Sequence, residues 1–176
     1  MGLKSTMEQW TIEREHHEVH EGEMFGSAFF INLTGGEFKK VILLTGAKFV
    51  HYYFQVAVNG PMLIKLYEDS YYSATAGPVT SINLNRGKSN VALMQCYSTP
   101  TITTDGTCIF SRFVVGQTGG GVAQVSPAAV GAVIRPGTEI ILDSSSTYHF
   151  YLENSAAAAI TLEFSHEFYE ESGVEG

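Results

Sequence analysis

Residues Ile160–Tyr169 read Ile-Thr-Leu-Glu-Phe-Ser-His-Glu-Phe-Tyr, and this stretch decides the fold. Ile160, Leu162, Phe164, His166 and Phe168 lie on one side of an extended chain. Thr161, Glu163, Ser165, Glu167 and Tyr169 lie on the other. Strict alternation is the signature of a β-strand, because successive side chains point to opposite faces. One apolar face and one polar face describe a strand packed on a core and open to solvent behind.

The same signal recurs upstream. Ser27–Leu33, Phe38–Thr45, Phe49–Val58 and Met62–Glu68 are short runs rich in β-branched and aromatic residues. Such residues favour a pleated, half-buried surface. Pro78–Leu84, Val91–Tyr97, Thr101–Thr104 and Thr107–Val115 follow, then Ala132–Arg135, Glu139–Leu142 and Thr147–Glu153. Asn59-Gly60 and Asp105-Gly106 are the two strongest hairpin signals, since both dipeptides tolerate positive φ. No segment shows a capped 3.6-residue period, and Ala156–Ala159 is too short for an independent helix. About ten short strands at even spacing predict an all-β domain, a single antiparallel β-sandwich or barrel rather than βαβ units. The expected organisation is a short N-terminal arm over residues 1–14, a sandwich over 15–170 and a flexible acidic tail over 171–176.

Composition narrows the function. The 176 residues carry ten basic and 18 acidic side chains, for a net charge of -8. Binding a nucleic-acid backbone requires a basic face, and Lys39-Lys40 is the nearest thing to one. Nucleic acid and anionic membrane are therefore not expected as partners. Cys96 and Cys108 are too few for a disulfide scaffold. Both lie in apolar runs and read as buried thiols, with a cross-strand bond left open as a geometric alternative. Residues 1–6 have no apolar stretch behind them, so no secretory signal is expected, and no apolar run approaches the ~18 residues of a membrane helix. Met1-Gly2 opens a short pattern that superficially fits N-myristoylation.

Residues able to carry chemistry are few. His16, His17 and His20 stand among Glu15, Glu18, Glu21 and Glu23. On a helix, His16 and His20 would share a face and could bind a metal together; on a strand they would be ~13 Å apart. His17-Glu18-Val19-His20 is one residue short of the zincin spacing. A cupin centre would need His-x-His, which does not occur, although Pro136-Gly137 fits part of a second cupin motif. There is no Gly-x-Ser-x-Gly elbow, and Gly119-Gly120-Gly121 lacks the following Lys-Ser/Thr of a P-loop. Glu68, Asp69, Asp105, Asp143 and Glu153 are each plausible carboxylates, with nothing to pair them as a glycosidase requires. No catalytic residue, cofactor or metal is expected. Tyr52-Tyr53 and Tyr71-Tyr72 should each place one ring inward and one on the surface, where it would suit a sugar or a protein.

Several segments together are similar to a known group. They are Glu15–Gly22, the polar loop Asn85–Asn90 before Val91–Tyr97, and Tyr97–Thr107, followed by Thr147-Tyr148, Leu152–Asn154 and Phe164–Tyr169. In this order they resemble the capsid decoration, or cement, proteins and related virion structural proteins of tailed bacteriophages, over roughly residues 15–170. The resemblance implies a jelly-roll sandwich that binds the outer surface of the assembled capsid. It also implies a homotrimer whose partner is the major capsid protein, assembled in the host cytoplasm. A receptor-binding or head-fibre module contacting host glycans is the alternative, and a small cupin-like enzyme a further one.

Overall fold

The structure, a computed structural model, describes residues 17–115, 132–134 and 139–171. The expected N-terminal arm, with His16, lies outside the described residues, as do residues 172–176 of the expected tail. After a one-turn helix over 17–21, everything regular is β. Fourteen strands are present among the described residues.

Nine of them form the body. β1 (Met24–Leu33), β3 (Phe49–Val58) and β14 (Ile160–Glu171) lie in sheet A, with the three-residue strands β11 (Ala132–Ile134) and β12 (Ile140–Leu142) both on the free edge of β3. β2 (Phe38–Leu44), β4 (Met62–Glu68), β10 (Thr107–Val114) and β13 (Thr147–Asn154) lie in sheet B. The order is β3-β14-β1 in one sheet and β10-β4-β13-β2 in the other. The chain is therefore an antiparallel all-β sandwich.

The pairing is nested. β1 pairs β14 from Met24↔Tyr169 to Leu33↔Ile160, β2 pairs β13, β3 pairs β12 and β11, and β4 pairs β10. The N- and C-terminal halves thus run side by side as one long hairpin, folded so that strands fall alternately in sheet A and sheet B. Between β4 and β10 the chain makes an excursion. β5 (Tyr71–Ala74) and β9 (Thr101–Thr104) form a separate ribbon. β6 (Pro78–Val79) and β8 (Gln95–Tyr97) extend sheet B, and β7 (Ile82–Asn83) pairs with β1.

This winding overturns both predicted hairpins. Asn59-Gly60 joins β3 in sheet A to β4 in sheet B, and neither residue has positive φ. Asn59 instead braces the start of β14, its Oδ1 accepting from Thr161 N–H at 3.0 Å. Asp105-Gly106 joins the β5–β9 ribbon to β10; Gly106 does take φ +81°, but the strands it links do not pair. The turn chemistry was read correctly as a bend. The pairing was not: β3 pairs with β14, β11 and β12, β4 with β10 and β13, and β9 with β5, so neither bend joins two neighbouring partners.

Other boundaries move for local reasons. Val91–Tyr97 was expected as a buried strand, but only Gln95–Tyr97 is strand and Val91 is 81% exposed. The amides of Leu93 and Met94 are taken by the Glu170 carboxylate, at 3.0 and 2.6 Å, instead of a ladder. Glu170 is therefore buried, and Glu171, assigned to the fraying tail, belongs to β14.

The core lies between the sheets. Ile160, Leu162, Phe164, His166 and Phe168 all face it, as the alternation predicts. Aromatic rings bridge the layers: Phe150 of sheet B meets Phe54 and Phe164 of sheet A with centroids 4.8 and 4.9 Å apart, edge to face. This geometry sets the positive ring edge on the negative face of its neighbour. Cys96 is buried and Cys108 exposed, both as free thiols; the expectation that both are buried fails for Cys108 because β10 is an edge strand. Burial pushes the Cys96 thiol up to about 12.

Candidate functional site

The sequence pointed to histidines at the N-terminus. The structure places the consequential ones elsewhere, at His51, His149 and His166, all buried. His20 is exposed on the helix over 17–21. Among the described residues, no group of three or more His, Cys, Asp or Glu side chains is placed to hold a metal ion.

The set nearest to a catalytic constellation is Ser70, His149 and Asp105. Ser70 Oγ lies 2.7 Å from His149 Nδ1, and His149 Nε2 lies 3.4 Å from Asp105 Oδ1. The topology explains the meeting. His149 is on the outward side of β13, and the corners at 69–70 and 105–106 fold over it from the excursion. Gly106 permits this approach: a Cβ there would lie 2.0 Å from the Glu68 carbonyl oxygen.

The proton bookkeeping runs against nucleophilic catalysis. Ser70 Oγ–H donates to the Asp105 carbonyl at 2.6 Å. A hydroxyl has one proton, so His149 Nδ1–H must donate to Ser70, whereas a general base would have to receive that proton. His149 Nε2 is then an acceptor with no hydrogen-bond partner among the described residues. Asp105 is held by Lys40 at 2.5 Å, which keeps its carboxyl below the usual range. Burial, helped by Lys40 and opposed by Asp105, lowers His149 to about 4. Its ring also stacks on Tyr67 at 4.8 Å. The arrangement locks two corners onto sheet B.

His166 anchors a second chain inside the core. Its Nε2 is 2.7 Å from Ser27 Oγ and its Nδ1 is 3.1 Å from Tyr52 OH. Each ring nitrogen thus has a partner able to donate or accept, so a neutral imidazole is satisfied in either tautomer. Burial brings His166 down to about 4 and Tyr52 well up. His51 stacks on Tyr169 at 4.3 Å, with Nδ1 2.5 Å from Glu139 Oε1 and Nε2 3.1 Å from Glu171 Oε2. It ties β3 to residue 139 and to the end of β14. Of these, only His166 carried a legible signal, its place on the apolar face of Ile160–Tyr169.

The carboxylates considered from sequence are engaged separately. Glu68 accepts from Tyr148 OH at 3.0 Å, Glu153 from Tyr151 OH at 3.0 Å, and Asp143 from Ser144 N–H at 2.9 Å. Asp69 occupies a corner at φ 55°. The tyrosine expectation holds for one pair, with Tyr52 buried and Tyr53 half-buried. It fails for the other: Tyr71 and Tyr72 are both exposed, at 69% and 41%, because among the described residues no layer lies against the β5–β9 ribbon to bury either face.

No protein-family model matches this chain, and no curated protein matches it either. No helix among the described residues is long and apolar enough to cross a membrane.

Proposed function

We propose that this chain is a capsid decoration protein of a tailed bacteriophage. It binds the outside of the assembled head and stabilises the shell by bridging subunits of the major capsid protein. The ordered resemblance over residues 15–170 is the primary support. The observation that carries the reading further is where the polar and apolar groups are spent. The Ser–His sets at Ser70 and Ser27 are held by internal hydrogen bonds, while large apolar side chains stand outside. Phe30 is 73% exposed, Phe113 54% and Ile141 60%. Large apolar side chains left outside the core are available for docking.

The nested β1–β14, β2–β13, β3–β12 and β4–β10 pairing supports the jelly-roll reading of the sandwich. A trimer is the matching assembly. β10 is an edge of sheet B, and it presents Ile109 and Phe113 to solvent. Such an edge aggregates unless something covers it, and a neighbouring copy would do so. Several modest contacts per trimer then add through avidity, so only a correctly spaced lattice is gripped.

Purified protein added to undecorated, expanded capsids of the encoding phage should co-sediment and raise their melting temperature. Absence of binding to any capsid form would overturn the reading. The exposed Tyr71 and Tyr72 favour one second reading, a module contacting host glycans. Binding to host cells with no capsid present would select it instead.

A further inference from the structure

We propose that the outer face of sheet A is the docking face, and that its occupant is a lysine- or arginine-bearing polypeptide segment of the capsid shell. The inference rests on the decoration reading and deepens it by assigning the face and the chemistry of the partner.

The registers lay this face out as a grid. Glu163 stands between Ala57 and Phe30, Ser165 between Gln55 and Ala28, and Glu167 between Tyr53 and Gly26. Gly26 continues to Ile82. The middle of the grid is made of small residues, Gly26, Ala28 and Ser165. The face is consequently dished, with a depression of about 290 Å³ walled by Tyr53, Gln55, Leu84 and Glu167. Phe30, Ile82 and Leu84 stand exposed around it. A floor without side chains lets an incoming main chain or ring lie close to the sheet, and the apolar rim removes water around it.

Charge identifies what lies there. The outward positions of β1, β3, β7 and β14 hold no lysine or arginine, and Glu163 and Glu167 stand ~13 Å apart along β14. Neither carboxylate has an ion-pair or hydrogen-bond partner among the described residues. Only a cationic partner would leave both carboxylates compensated on docking. The opposite face differs on both counts. Over its centre the chain's own corners cover sheet B, and the outward-facing Ile42 and His149 are inaccessible there, although Phe38 and Phe113 stay exposed towards its margins. Its lysines are also mixed with acids, Lys40 being paired with Asp105.

The test uses expanded capsid shells as the probe. Glu163→Lys with Glu167→Lys, and separately Ala28→Arg, should each weaken binding by about tenfold or more. The milder Glu163→Gln with Glu167→Gln should weaken it less and flatten its salt dependence. Lys65→Glu, on the outer face of sheet B, should bind as wild type. These side chains point outward, so thermal melts should match wild type and show that folding is intact. If wild type binds shells and all three sheet A variants bind equally well, the docking face is wrong. If wild type binds no shell, the decoration reading itself fails.

Discussion

At the residue scale, the buried histidines make stability depend on pH. His149 and His166 are both lowered to about 4 in the fold, against an ordinary value of ~6.5 in the unfolded chain. Above ~6.5 both are neutral in either state and nothing changes. As pH falls below that, the unfolded chain takes up protons that the native state refuses, so stability drops until pH reaches about 4. The slope is about 1.4 kcal/mol per pH unit for each histidine, as an order of magnitude. Urea melts at pH 7, 5.5 and 4.5 should show a steady fall, and a flat profile would contradict it. Asn154 is the other costly position. Its side-chain amide donates to the carbonyls of Leu33, Thr34 and Ala158, and its Oδ1 accepts from Ala156 N–H. Asn154→Ala should cost ~1–3 kcal/mol by leaving those buried groups unpaired. Neither Asn154 nor His149 was legible in the sequence, because their partners lie in distant segments.

At the scale of elements, the corners matter more than the turns. Gly106 and Gly36 both adopt positive φ, at +81° and +73°. A Cβ on Gly106 would strike the Glu68 and Asp69 carbonyls, whereas one on Gly36 would meet nothing within 4 Å. Gly36→Ala should therefore cost only backbone strain, ~1 kcal/mol, and Gly106→Ala clearly more. Equal losses in chemical melts would refute the packing account of the Asp105-Gly106 corner. This corner was visible in the sequence as an Asp-Gly bend. Its role was not, since a hairpin and a crossing between sheets use the same φ > 0 residue. The long strands were legible almost to the residue: Phe49–Val58 and Met62–Glu68 match the expectation, because alternation and β-branched content are local properties. The excursion was less so. Pro78–Leu84 divides into β6 and β7, which pair with different sheets.

At the scale of the whole molecule, nested pairing sets the folding order. Met24 pairs Tyr169 and Leu33 pairs Ile160, so sheet A cannot close until the last strand is available. β14 pairs with both β1 and β3 and lies at the centre of the sheet. A chain ending at residue 159 should show no cooperative melt. Full-length protein should refold slowly, in the roughly millisecond-to-second range of non-local β folds. Stopped-flow fluorescence would check this, and microsecond refolding would be inconsistent with the topology.

The sequence alone determined that the chain is all-β, which face of β14 is buried, and where it bends. These follow from side-chain period, branching at Cβ and the φ range of glycine and asparagine, all of which act within a few residues. Only the tertiary structure decided which strands pair, which histidines are buried, and which face of the sandwich the other described residues do not cover. Those outcomes depend on contacts between distant segments, 79 residues apart for Ser70 and His149 and 139 for Ser27 and His166. A polar side chain carries no local mark of the partner that will satisfy it.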